Sequence, residues 1–238
     1  MTQAKRLRRT TAGGYARGDE TRQRIIDAAI QLFGEHGFKD ASTRDIAAAA
    51  GVNAPALQYY FENKEGLYKA CAEYITEDLR GRFAPSMRQV SDALKNHADA
   101  DTLIEAYLGM QLVTLDSVLT PTHLVKGRLL GRELAGETPH LVSDMLQKTM
   151  KRPINKLLSE LLARIMGTGP NDAITRIRLL TLKGLVLAFY YPPGASLELL
   201  GWKEIDAGKS ALIKDAVQEQ TRTLLMSWQN AGKRKGVA

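Results

Sequence analysis

The sequence predicts an all-α protein: a small helical head followed by a larger helical body. Three observations carry this reading. Apolar residues recur at helical spacing from Ile25 to Trp228. No segment alternates with the period of two that a half-buried strand requires. The main turn signals, Gly37, Gly51, Gly167-Thr168-Gly169-Pro170 and Pro192-Pro193-Gly194, fall between the apolar stripes. Stripe by stripe, about nine or ten helices are expected.

Residues 1–18 mix Lys and Arg with Thr and Gly and show no apolar period, so they are expected to be a disordered basic arm. From Asp19, the positions Ile25, Ala28, Ala29, Leu32 and Phe33 predict a first helix, which Gly37 stops. A short helix should follow from Thr43, with Thr43 as its N-cap and Asp45 in its first turn. Gly51 supplies the backbone freedom for a tight turn, and Val52 plugs the angle. Asn53 should cap the next helix, with Pro55 in its first turn, where no amide hydrogen is needed. From Asn63 a longer helix carries Leu67, Tyr68, Cys71, Ala72, Ile75 and Leu79 inward.

The body continues with stripes at Leu103–Leu115, Leu124–Leu134 and Leu141–Met150, where Pro153 is expected to kink or break the helix. Leu157–Ile165 and Ile174–Tyr190 follow, and Pro192-Pro193-Gly194 ends the latter. Ile213, Val217, Leu224 and Trp228 mark a last helix.

Bulk properties narrow the classes. The chain has 238 residues and a net charge of +7. Much of that charge is local: Lys5, Arg6, Arg8, Arg9, Arg17, Arg22 and Arg24 stand against only Asp19 and Glu20 near the N-terminus. Basic arms of this kind are drawn to polyanions, nucleic acid first, and otherwise serve as solvated tails. The single Cys71 excludes an intrachain disulfide and reads as a buried core thiol. No apolar run approaches the roughly 18 residues of a membrane span, and no apolar segment follows the basic start as in a secretory signal. The protein is therefore expected to be cytoplasmic.

The stretch from Thr43 to Lys64 carries the function. A short helix, a tight turn and a second helix with only Leu57 and Phe61 facing inward make a helix-turn-helix whose second helix can enter a major groove. Ala54 and Ala56 permit close approach to DNA. Gln58 can pair bidentately with adenine. Tyr59, Tyr60 and Lys64 can reach phosphates. The competing reading is an ordinary helical corner buried in a core.

The run from Thr21 to Ala70 also resembles the N-terminal domain of TetR-family transcriptional regulators. The resemblance rests on Ala29, Leu32 and Phe33, the Gly37-Phe38 stop, Thr43 with Ile46-Ala47, the Ala50-Gly51-Val52 turn, and Tyr60-Phe61 before Asn63-Lys64-Glu65 and Leu67. It implies a head at residues 19–66 and an effector-binding and dimerisation body at 67–238. It further implies DNA contacts from Thr43, Arg44, Asn53, Ala54, Pro55, Ala56, Gln58, Tyr59, Tyr60 and Lys64. The chain departs from the common pattern at Ala56, where a hydroxyl residue is frequent, and at Gln58, where tyrosine is. The operator of better-known relatives is thus not transferable.

The body resembles the CecR-like (YbiH-like) branch through APALQYYFENKEGLYKACAEYI, Arg132-Glu133 near Thr138-Pro139, and Leu200-Gly201-Trp202-Lys203-Glu204-Ile205. That resemblance implies a homodimeric repressor of a palindromic operator. A small toxic or drug-like molecule would release it, and export genes would be its targets. Tyr107, Met110, Gln111, His123, Arg128 and Arg132 are candidate effector contacts, with core packing and interhelical ion pairs as the alternative. The helices at Ile174–Tyr190 and ending near Trp228 are candidates for the dimer interface. No cofactor is implied. The four histidines are scattered without metal-ligand spacing. An enzyme is disfavoured, because no nucleophile elbow, phosphate cradle or metal pair is present. The remaining alternative is a DNA-binding protein of this fold with no small-molecule ligand, gated by a protein partner or constitutive.

Overall fold

The computed structural model describes residues 12–120, 139–189 and 193–235, together with 126, 127, 129, 132, 133, 136 and 137; these hold ten bounded α-helices, one π-helical turn and further helical residues between 126 and 133. The head comprises α1 (Ala12–Asp40), α2 (Thr43–Ala49) and α3 (Ala54–Tyr60). Helix α4 (Lys64–Lys95) leads into the body, which continues with α5 (Ala100–Leu119), α6 (Leu141–Leu146), a π-helical turn (Gln147–Lys151) and α7 (Arg152–Met166). Then follow α8 (Ala173–Leu187), α9 (Pro193–Leu200) and α10 (Ala207–Lys235).

Four expectations need correction. Helix α1 begins at Ala12, so residues 12–18 extend it by nearly two turns, and only residues 1–11 of the expected arm lie outside the described residues. The cap of α2 is Ser42 and not Thr43: the Ser42 hydroxyl accepts from the Asp45 amide at 3.1 Å, so Thr43 becomes the first helical residue. Pro153 does not break its helix. The backbone stays helical from Leu146 (φ −60°, ψ −39°) through Lys151 (φ −61°, ψ −45°), and the π turn before the proline widens the spiral where its ring must fit. Pro193 opens α9, since the fixed φ of proline suits a first helical position. Of the expected stripe at Leu124–Leu134, residues 126, 127, 129, 132 and 133 are helical, and the others lie outside the described residues, as does Tyr190.

One buried apolar cluster runs from Ile25, Ile26, Phe33, Leu57 and Phe61 of the head through Leu67, Tyr68 and Cys71 of α4 to Leu103, Met110, Leu161 and Leu225 of the body. Phe33, Phe38 and Tyr68 form its aromatic centre, with the Tyr68 ring edge-on to both phenylalanines at 5.1 Å. Burial pushes the Cys71 thiol well above its usual range, in line with a core thiol. A second, smaller cluster joins Leu115, Leu119, Val186, Ile213 and Val217 where α5, α8 and α10 meet. No helix among the described residues is long and apolar enough to cross a membrane.

Two glycines give opposite stability predictions. A Cβ at Gly232 would lie 2.4 Å from the Met166 carbonyl oxygen, so Gly232→Ala must push α10 off the end of α7. The expected loss is about 1–3 kcal/mol in urea unfolding. Gly81, inside α4, has nothing within 4 Å of that position. Gly81→Ala is expected to stabilise by roughly 0.5–1 kcal/mol.

Candidate nucleic-acid interface

The turn between α2 and α3 is built from the backbone. Helix α2 ends in a Schellman motif: the Val52 amide donates to the Ala47 carbonyl at 2.9 Å and the Gly51 amide to the Ala48 carbonyl at 3.1 Å. The motif needs a left-handed residue, and Gly51 takes φ 66°. Asn53 then starts α3, its side-chain oxygen accepting from the Ala56 amide at 2.8 Å. Asn63 repeats the device for α4, accepting from the Gly66 amide at 2.7 Å. Two asparagine caps and one glycine therefore set the directions of three successive helices.

With those directions fixed, Leu57 and Phe61 anchor α3 in the core while Asn53, Ala54, Pro55, Gln58 and Tyr59 remain exposed. Tyr59 is 85% exposed, far more than an aromatic ring without a partner favours in water. Its ring meets Tyr60 edge-on at 5.3 Å. Ala56, Tyr60 and Thr43 are half-buried at the margin, and Arg44 projects from the start of α2. The expected contact residues are thus exposed or half-buried on α2, α3 and the segments that flank α3.

The structure gives Lys64 a second role. Its ammonium donates to the Lys39 carbonyl at 3.0 Å and lies 4.9 Å from the centre of the Phe38 ring. It therefore ties the start of α4 to the end of α1 and keeps donors for a phosphate. Arg22 enters the sequence reading only through the basic charge near the N-terminus and is not among the expected contacts. It is exposed, and its guanidinium lies 5.3 Å from the Phe61 ring, at the end of α3. The density of arginines before Asp27 was the available signal.

The candidate effector residues separate. Tyr107, Met110 and Gln111 are buried on successive turns of α5. Gln111 donates to the Thr221 hydroxyl of α10 at 2.8 Å, but its side-chain oxygen has no hydrogen-bond partner among the described residues. Burial raises the Tyr107 phenol above its usual range, so it is neutral. Arg132 points away from these residues: it hydrogen-bonds the Gly34 and Glu35 carbonyls of α1. His123 and Arg128 lie outside the described residues. Among the described residues no cluster of His, Cys, Asp and Glu could hold a metal ion.

Comparison with known proteins agrees with this geometry. Residues 25–71 match the family "Bacterial regulatory proteins, tetR family", and residues 120–227 match "HTH-type transcriptional dual regulator CecR, C-terminal domain". The chain is 30% identical over 204 residues to the dual regulator CecR of Shigella flexneri, spanning 84% of this chain and 89% of that protein. It is 45% identical over 65 residues to the regulatory protein RaaS of Mycobacterium tuberculosis, a match spanning 27% of this chain and 30% of that protein. Among solved structures, AibR in complex with isovaleryl coenzyme A and operator DNA shares the fold, with a TM-score of 0.56 at 19% identity, covering 84% of this chain and 97% of that one. These relatives are transcriptional regulators and not enzymes. The chain belongs to the TetR family of DNA-binding transcriptional regulators and carries a CecR-type C-terminal domain.

Proposed function

We propose that the protein is a ligand-responsive repressor that binds a palindromic operator as a homodimer and is released by a small toxic or drug-like molecule. The observation that carries this reading is the exposed face of α3, where Gln58 and Tyr59 stand clear of the core, with Tyr59 edge-on to Tyr60 and Arg44 exposed on α2. Gln58 reads a base edge, and Thr43, Arg44, Tyr60 and Lys64 hold phosphates. Export genes as targets rest on the CecR-like resemblance alone.

Two further observations support the finer parts. Large apolar side chains are exposed along α8, at Ile177 (59%), Leu180 (68%) and Leu187 (52%), and on α10, at Leu212 (60%) and Met226 (47%). The α8 residues fall three and seven apart, on one helical stripe, and a second copy would cover them. Two copies present two recognition helices, which read half-sites about 34 Å apart. In the body, the unpartnered Gln111 oxygen and the Tyr107 hydroxyl stand one turn apart on α5. A buried acceptor without a donor is costly, so a ligand that donates there gains affinity. Release follows if that ligand binds better to a state whose heads no longer match the grooves.

Selection of bound duplexes from a random pool tests the core of this reading. A palindromic consensus is expected; failure of the folded protein to enrich any sequence would contradict it. Three variants sort the roles. Arg44→Ala should weaken binding to all duplexes and lower the slope of log K against log salt by about 1. Gln58→Ala should relax preference at one base pair per half-site, a discrimination of about 1–3 kcal/mol, while an unchanged consensus removes Gln58 from base reading. Leu180→Glu should shift the protein to monomer in sedimentation and abolish palindrome binding, with α-helical content retained.

A further inference from the structure

Two adjacent residues of the body grip opposite partners. Arg132 reaches the head: its Nε donates to the Gly34 carbonyl at 3.1 Å and its Nη2 to the Glu35 carbonyl at 2.7 Å. Those carbonyls belong to the last turn of α1 before Gly37, whose φ of 81° interrupts the helix. The end of a helix carries partial negative charge, so a cation is favoured there. The remaining nitrogen, Nη1, pairs with Glu137 at 2.6 Å. The fit is close, because a Cβ on Gly37 would lie 3.3 Å from Arg132 Nη1.

Glu133 holds the body. It is fully buried, and its two oxygens accept three hydrogen bonds from the described residues. One oxygen takes the Tyr68 hydroxyl of α4 at 2.6 Å and the Val142 amide at 2.9 Å. The other takes the Ser143 amide at 2.6 Å. The residue before α6, His140, makes no side-chain cap, so Glu133 supplies that cap from another segment. A buried carboxylate persists only where donors surround it, and here the donors come from two elements at once. The Tyr68 ring it fixes packs against Phe33 and Phe38, on either side of the Gly37 break.

We infer that Arg132 and Glu133 form a latch that sets the angle of the head on the body. Neither touches DNA; both are positioning residues, and the role rests on the DNA-binding reading above. Because the two are consecutive on a helical segment, a shift of α4 or α6 at Glu133 moves Arg132 and, through it, the end of α1. A half-buried arginine placed at a helix end only for stability would not require its neighbour to clamp two elements on the other side.

The test uses the full chain with spin labels at Glu62→Cys, in the exposed loop after α3, and Asp101→Cys, exposed on α5; native Cys71 is buried. The distance between labels within one chain should be narrow in the parent protein. Arg132→Ala should broaden it and lower affinity for a full palindrome at least tenfold, while affinity for a single half-site stays within twofold. Arg132→Lys, which has one ammonium for two carbonyls, should fall between. Tyr68→Phe, which removes a hydroxyl from Glu133 but keeps the ring against Phe33 and Phe38, should also broaden the distance, and it serves if an Arg132 variant does not fold. An unchanged distance distribution in Arg132→Ala and Tyr68→Phe overturns the latch. A parent protein that binds no duplex overturns the proposed function instead, and the distance arm still decides the latch.

Discussion

Helix α4 carries one hydrophobic core from the head into the body along a continuous surface, and the rest of the architecture depends on that constraint. Its first turns bury Leu67, Tyr68 and Cys71 against the head, where the Cys71 thiol meets the Ile26 carbonyl at 3.8 Å. Its later turns bury Phe83 and Val90 in the body. Each fully buried side chain of this size contributes about 1.5–3 kcal/mol relative to exposure, so neither end can swing free without a large penalty. Head and body therefore move, if at all, as packed units related by small shifts. A few polar contacts beside α4 can then set their relative angle, because the apolar cluster resists bending but specifies direction only loosely.

The head shows how little sequence is needed to present a recognition surface. Asn53 and Asn63 fix helix starts through side-chain oxygens that accept backbone amides, and Gly51 fixes the turn between through its left-handed backbone. Leu57 and Phe61 are the buried anchors of α3, and Tyr60 packs partly against the same core. The other side chains of that helix are left for contact, which is how a seven-residue helix holds a surface as exposed as Tyr59. Lys64 and Arg22 sit where this surface meets α1, each over an aromatic ring of the core, so the cations at its rim are held in place before any phosphate arrives.

Much of this was legible in the sequence because it is local. Helical period, the asparagine caps, Pro55 and Gly51 all act within a few residues of themselves. The same locality explains the misses. Ser42 and Thr43 are both hydroxyl residues, and only backbone geometry decides which precedes the helix. Pro153 reads as a breaker until the preceding π turn is seen to absorb it. Arg132-Glu133 is most instructive: the pair is visible in the sequence as a motif, and Arg132 alone is a candidate effector contact, with an interhelical ion pair as the alternative. Its partners lie 97 residues away at Glu35 and 65 residues away at Tyr68, and no pattern in one sequence connects them. The body core was predictable in composition but not in detail, since the missing partner of Gln111 is a property of three-dimensional packing.

The central claim is that two copies present two α3 helices to successive major grooves on one face of the duplex. Hydroxyl-radical footprinting on the selected duplex tests it most directly. The account predicts two equal protected patches whose centres lie about 10 base pairs apart on one face. A single protected patch, or uniform protection without a fixed register, would contradict it.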